Sequence, residues 1–139
     1  MKNIGILLSG RGSNFEAIAK NVVAGRIPAA RIALVISNKA GAGGIDIARA
    51  MGIEALVIPS KGKERAEHDR EVVAALQQHK VDLICLAGYM RLLSPWFVQQ
   101  FPRRILNIHP SLLPAFPGLE AQEQAFAYGV KSPDAPCIL

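Results

Sequence analysis

Short, nearly continuous apolar runs alternate along this chain with segments of helical periodicity, and this alternation constrains the fold more than any other feature. It is typical of a parallel sheet with helices on both faces. Strands that are buried on both faces read as continuous apolar runs rather than as alternating ones. The sequence therefore predicts an α/β domain with an open, mostly parallel twisted sheet, whose strands lie at residues 4–8, 32–37, 55–58, 83–87 and 105–108.

The helices are indicated by apolar residues that recur with the helical period. The first helix has one apolar face and a glycine just beyond it; that face consists of Phe15, Ile18, Ala19, Val22 and Val23. Further helices are predicted at residues 45–51, 63–79, 96–100 and 120–128. In the helix at 63–79, charged residues of both signs are typical of a solvated face. Its buried residues are expected to be Ala66, Val72, Val73 and Leu76.

The length of 139 residues, half of them hydrophobic, is enough for one core and too short for two, so we expect a single domain over residues 1–139. The apolar runs fall far short of the roughly 18 residues that a membrane span needs. The start of the chain lacks the cleavage site of a secretory signal, and we expect a cytoplasmic protein. Cys85 and Cys137 form neither a disulfide framework nor a metal-ligand cluster, and both are interpreted as packing residues.

The formal charge of +5 raises the question of a nucleic-acid partner. Lysine and arginine are spread thinly, and the densest stretch, residues 61–71, is interleaved with acidic residues. No aromatic residues alternate with that stretch, as a stacking surface for single strands would require. The pattern predicts a basic surface without a nucleic-acid or membrane partner, and it suits a small anionic substrate.

Ligands of open α/β sheets bind beyond the carboxyl ends of the strands, where the strand order reverses. Three segments of this chain are expected to lie there: residues 9–14, 88–94 and 107–118.

Residues 9–14 (Ser-Gly-Arg-Gly-Ser-Asn) link a strand to a helix start, where backbone amides and the helix dipole favour an anion. Phe15 replaces the third glycine of a dinucleotide fingerprint, and residues 37–39 offer no acid for a ribose. Two interpretations stay open. The segment is a tight turn with Ser13 or Asn14 as helix N-cap, or it holds a phosphate, and the two roles can coexist.

Asn107 and His109 bracket one residue at the end of a predicted strand, so their side chains should project to the same face. An amide and an imidazole can both donate to a developing oxyanion, and histidine can also move a proton. The alternative is that His109 is structural, which is our interpretation of His68 and His79. The proline-rich stretch 110–118 could form a stiff wall, and the apolar stretch 86–93 suits either a flat ring or ordinary packing.

Four stretches resemble the glycinamide ribonucleotide (phosphoribosylglycinamide) formyltransferases, which belong to the folate-dependent formyltransferases of purine biosynthesis. They occur in the family's order and together are highly specific: residues 9–14, 35–39, 86–95 and 107–114. The last stretch alone is shared with other folate-dependent formyltransferases.

The resemblance implies a Rossmann-like formyltransferase fold and transfer of the formyl group of 10-formyltetrahydrofolate to the amine of glycinamide ribonucleotide. It implies no metal, and a monomer or homodimer. Asn107 and His109 would stabilise the oxyanion. The substrate would contact Gly12, Ser13, Asn14, Pro110 and Gly118. The folate would contact Gly88, Met90, Arg91, Leu92 and Leu93.

One stretch departs from the family pattern. After residues 129–131 the family continues with a strand and then a segment whose aspartate works with the histidine; here residues 132–139 resemble that segment directly. Asp134 would correspond to the aspartate. The sequence leaves open whether the intervening part is deleted, cut off or outside the given residues. For a true deletion we expect the family's C-terminal strands to be lacking, a sheet edge to lie open and the activity to be weak or absent. The alternatives are another folate-dependent formyltransferase or a non-catalytic module that binds a phosphate ligand.

Overall fold

The computed structural model describes residues 2–25, 29–107 and 137–138, which form one sheet with helices on both faces. The described strands are β1 (Lys2–Leu8), β2 (Ala30–Ser37), β3 (Ala55–Val57), β4 (Leu83–Leu86), β5 (Ile105–Asn107) and β6 (Cys137–Ile138). The described helices are α1 (Ser13–Val23), α2 (Gly43–Ala50), α3 (Arg65–Gln78) and α4 (Pro95–Gln100). The predicted helix at 120–128 lies outside the described residues.

The strand order is β3-β2-β1-β4-β5-β6. Strands β1 to β5 pair in parallel, which confirms the predicted α/β class and mostly parallel sheet. The chain begins in the middle of the sheet, moves outward through β2 and β3, and returns to the other side of β1 with β4 and β5. The order therefore reverses between β1 and β4, the position at which ligands of such sheets bind.

Strand β6 pairs antiparallel with β5, with Leu106 opposite Ile138 and Asn107 opposite Cys137. An uncovered β5 would present a row of unpaired backbone N–H and C=O groups. The expectation of an open sheet edge is therefore wrong for β5, because backbone near residue 137 satisfies those groups.

Helices cover both faces of the sheet with their apolar side chains. On one face the core residues from α1 and α2 are Phe15, Ile18, Ala19, Ile45 and Ala48. On the other face the core residues from α3 and α4 are Val72, Val73, Leu76 and Phe97. Successive residues of β1 serve the two faces in turn, since Ile6 joins the first cluster and Leu7 the second. Burial on both faces explains why the strands read as continuous apolar runs.

Helix α3 begins two residues later than predicted and buries a different set of side chains. His68 and Asp69 are fully buried, whereas Ala66 is exposed. The predicted burial of Ala66 is therefore wrong, and Asp69 departs from the predicted solvated face. Hydrogen bonds explain the difference. His68 Nε2 lies 2.7 Å from the Ile58 carbonyl oxygen, and Asp69 Oδ2 accepts from the Ser94 N–H at 2.7 Å. Polar side chains are tolerated in a core when they are paired in this way.

The segment after β1 crosses the start of α2 at very short range. Gly12 has φ 79°, and a Cβ added to it would lie 2.5 Å from Gly44 Cα. The Gly44 N–H donates to the Gly10 carbonyl oxygen at 3.2 Å. This approach of two backbones requires glycine on both sides, and it fixes where α1 begins.

None of the helices in the described ranges combines the length and apolar character that a bilayer crossing requires.

Gly12→Ala is expected to lower the free energy of unfolding by about 1 to 3 kcal/mol, because alanine is strained at this φ and its methyl group displaces the Gly44 backbone. Gly10→Ala is the matched control, since no described heavy atom lies within 4 Å of a Cβ added there. Its stability should change by less than about 0.5 kcal/mol. Urea denaturation measures both. Equal losses would contradict the proposed backbone contact.

Asp69→Ala should also destabilise the fold, because it leaves the Ser94 N–H buried without an acceptor, at a cost of about 1 to 3 kcal/mol. Arg70→Ala changes the next residue of the same helix, which is exposed, and should be nearly neutral. Thermal unfolding of the two variants distinguishes them. A stable Asp69→Ala protein would show that the hydrogen bond is dispensable.

Candidate active site

The predicted ligand segments follow β1, β4 and β5, which are neighbours in the sheet. Leu7 pairs with Leu86, and Leu86 pairs with Asn107, so the three parallel strands end at one level. Residues 9–14, here called the β1 loop, and residues 88–94, the β4 loop, therefore leave the sheet at the same edge as Asn107. This is the arrangement that the sequence predicted for them.

Helix α1 begins without a side-chain cap. Its N-cap is Gly12, and no side chain of the described residues accepts a hydrogen bond from the first turn. The interpretation of Ser13 or Asn14 as N-cap is therefore wrong, because the left-handed Gly12 starts the helix one residue earlier. Ser13 is exposed and Asn14 half-buried. The first backbone N–H groups of a helix have no partner within the helix, and together with the positive end of the helix dipole they are suited to hold an anion.

Asn107 is the last residue of β5 and is exposed at the carboxyl edge of the sheet. Ile105, two residues earlier, packs in the α3–α4 cluster, whereas Leu106 packs in the α1–α2 cluster. Asn107 therefore belongs to the face of Ile105. The convergence of Asn107 with His109 stays a prediction. Four of the predicted site residues lie outside the described residues: His109, Pro110, Gly118 and Asp134.

The β4 loop presents apolar side chains to solvent. It leaves the sheet at Gly88, which has φ 75°. Met90 and Leu92 are 74% and 72% exposed. Tyr89 and Leu93 instead pack against the α3–α4 core cluster. Of the predicted folate-contacting residues, Met90 and Leu92 are thus largely exposed, while Leu93 helps to hold the loop.

Polar groups of the β4 loop point back toward α3. Arg91 Nη2 donates to the Lys63 carbonyl oxygen at 3.3 Å. Burial raises the pKa of the Tyr89 phenol, the negative charge of Asp69 raises it further, and Arg91 partly offsets that effect. The phenol therefore stays neutral. Burial also raises the pKa of the Cys85 thiol, which fits its interpretation as a packing residue.

A buried polar chain links the ends of several strands. The Met90 N–H donates to Ser9 Oγ at 2.8 Å, and the Ser9 hydroxyl donates to Asn38 Oδ1. Asn38 Nδ2 then donates to Ser60 Oγ at 3.0 Å. Sequence reasoning did not find these hydrogen bonds, although Ser9 and Asn38, small polar residues directly after two largely buried strands, were a usable signal.

In the described part of the chain, no three His, Cys, Asp or Glu side chains converge as metal ligands.

Comparison with known proteins identifies the family. Residues 2–133 match the formyl transferase family. The phosphoribosylglycinamide formyltransferase of Escherichia coli (strain K12) is 43% identical over 128 residues, and the match covers 91% of this chain and 60% of that protein. The trifunctional purine biosynthetic protein adenosine-3 of Homo sapiens is 45% identical over 130 residues, which cover 91% of this chain and 13% of the human protein.

Solved structures agree. Glycinamide ribonucleotide transformylase 1 from Symbiobacterium toebii has a TM-score of 0.75 and 52% sequence identity, with 94% of this chain and 62% of that chain covered. Its namesake from Geobacillus kaustophilus has a TM-score of 0.76 and 36% identity, with 100% and 80% covered.

The matched region amounts to 60% of the Escherichia coli enzyme and 13% of the human protein. Over that region the sequence identity, the α/β fold and the family match all agree. This chain belongs to the formyl transferase family.

Proposed function

We propose that this chain is a glycinamide ribonucleotide formyltransferase, which transfers the formyl group of 10-formyltetrahydrofolate to the primary amine of glycinamide ribonucleotide. The observation that carries the proposal is the start of α1. This anion-binding end, which no described side chain caps, lies at the sheet edge that also bears Asn107 and the exposed apolar β4 loop. The names of the relatives support the same reaction.

The acceptor's phosphate binds at the β1 loop. Backbone N–H groups of Ser13 and Asn14 donate to the phosphate oxygens, with Gly12 shaping the turn, and the helix dipole favours the negative charge. The formal charge of +5 raises the local concentration of such an anion. Pro110 and Gly118 border the rest of the acceptor.

The formyl donor lies against the β4 loop. Its flat pterin ring covers the apolar side chains of Met90 and Leu92, which are otherwise exposed to water. Gly88, Arg91 and Leu93 complete this wall. The two substrates thus approach each other across the edge between β1 and β4, beside Asn107 on β5.

Asn107 and His109 act on the formyl group. The acceptor amine attacks the formyl carbon, and both side chains donate hydrogen bonds to the oxygen as it becomes negative. The new C–N bond forms to the acceptor, and the bond to N10 of the folate breaks. His109, oriented by Asp134, passes the proton lost by the amine to N10 of the leaving tetrahydrofolate.

Asn107→Ala should lower kcat/KM about 100- to 1000-fold, the range for losing one oxyanion donor. His109→Ala should lower it at least about 100-fold. The side chain of Asn107 is exposed, so folding should not suffer. Arg104→Ala is the control, because it removes an exposed residue at the opposite end of β5. A steady-state assay with both substrates measures the rates, and unaltered turnover by Asn107→Ala would contradict its role.

Ser13→Asp separates phosphate binding from stability. A carboxylate in the first turn interacts favourably with the helix dipole, so the fold should keep its stability. Repulsion between the carboxylate and the phosphate should weaken the binding of glycinamide ribonucleotide at least about tenfold. Ser13→Asn is the neutral control of similar size.

Calorimetry with glycinamide ribonucleotide and with a folate analogue, done separately, reports both sites. Binding of both ligands supports the enzyme. Binding of the phosphate ligand alone, together with absent turnover, would favour the non-catalytic module. Unchanged acceptor affinity in Ser13→Asp would refute the phosphate site.

A further inference from the structure

Ser9 connects the two loops to which the proposed function assigns different substrates. It is the first residue of the β1 loop and is 5% exposed. Its Oγ accepts the N–H of Met90 in the β4 loop at 2.8 Å, across 81 residues of sequence. One buried hydroxyl therefore joins the acceptor side of the site to the donor side.

The backbone N–H of Met90 determines which group donates and which accepts in this series of hydrogen bonds. The Met90 N–H can only donate, so the hydrogen of the Ser9 hydroxyl is available for Asn38 Oδ1. This orients the Asn38 amide, whose Nδ2 donates to Ser60 Oγ. The backbone N–H of Ser60 in turn donates to the backbone carbonyl oxygen of Asn38 at 3.2 Å. Ser9 must both accept and donate, which alanine cannot do.

Tyr89 and Arg91, on either side of Met90, are held by their side chains, since Tyr89 packs against the α3–α4 cluster and Arg91 donates to the Lys63 carbonyl oxygen. Among the described residues, Met90 itself is held through its backbone N–H.

In the described ranges, the bond from the Ala87 N–H to the Leu7 carbonyl oxygen, at 2.8 Å, is the last between the β1 and β4 backbones. Gly88 follows, with no described heavy atom within 4 Å of its missing Cβ. The Met90 side chain is 74% exposed and cannot anchor the loop by packing. The hydrogen bond to Ser9 thus extends the β1–β4 contact past the sheet.

We infer that Ser9 is a positioning residue that holds the donor-binding β4 loop against the acceptor-binding β1 loop, so that the two substrates bind cooperatively. The inference rests on the proposed function for the identity of the ligands. The hydroxyl touches neither ligand. It acts by fixing the Met90 backbone, and through Met90 the apolar surface on which the folate ring lies.

Ser9→Ala should weaken the binding of a folate analogue about tenfold, the consequence of losing one partly buried hydrogen bond to a backbone N–H. Affinity for glycinamide ribonucleotide alone should change less than about twofold. Prior saturation with glycinamide ribonucleotide should improve folate affinity in the natural chain and should no longer do so in Ser9→Ala. Calorimetry measures these three affinities in each of the two proteins.

Ser37→Ala is the matched control. Ser37 is a fully buried serine at the end of the neighbouring strand β2, and its Oγ accepts a backbone N–H as Ser9 does. Its partner, Lys39, is only two residues away, so no loops are joined. Ser37→Ala should cost similar stability and leave folate affinity and cooperativity intact. Equal loss of both ligands in Ser9→Ala, or an equal folate effect in Ser37→Ala, would overturn the positioning role.

Amide hydrogen exchange tests the contact without any ligand. The Met90 N–H should exchange slowly in the natural chain and at least about tenfold faster in Ser9→Ala, as expected for an amide freed from a hydrogen bond. The Ser94 N–H, held by Asp69 at the other end of the loop, should keep its rate. Unchanged Met90 exchange overturns the inference alone, whereas a natural chain that binds neither ligand overturns the proposed function.

Discussion

The parallel register of β1, β4 and β5 is the constraint on which the site depends. Leu7, Leu86 and Asn107 occupy neighbouring positions across the three strands. A slip of one residue in β5 would turn Asn107 toward the opposite face of the sheet. The core opposes that slip, because it would move the exposed Arg104 or Asn107 into a position now held by the fully buried Ile105 or Leu106. The packing that stabilises the fold therefore also positions the proposed chemistry.

Two kinds of contact then shape the edge. On the β1 side the backbones of Gly12 and Gly44 approach each other closely, and none of the described side chains caps the start of α1. On the β4 side, apolar side chains of the β4 loop face water, while buried polar side chains hold the backbone of the loop. Ser9 holds it at Met90, and Asp69 holds it at Ser94. Exposed apolar side chains and buried anchors thus alternate along a single loop.

The sequence predicted what depends on local pattern. Continuous apolar runs located the strands, and turn residues located the β1 and β4 loops at one edge. It did not predict what depends on partners distant in sequence. The burial of Asp69 requires Ser94, and the left-handed start of α1 at Gly12 requires Gly44. The pairing of β6 with β5 likewise joins backbone segments about 30 residues apart, whose register no local preference encodes.

The most direct measurement of the central claim is a titration of the isotope-labelled chain with glycinamide ribonucleotide, followed by the backbone amide resonances in solution. The account predicts that the amides of Ser13 and Asn14 move strongly downfield as they donate to the phosphate, with smaller changes at Asn107. Resonance changes confined to other parts of the chain, with the start of α1 unaffected, would contradict it.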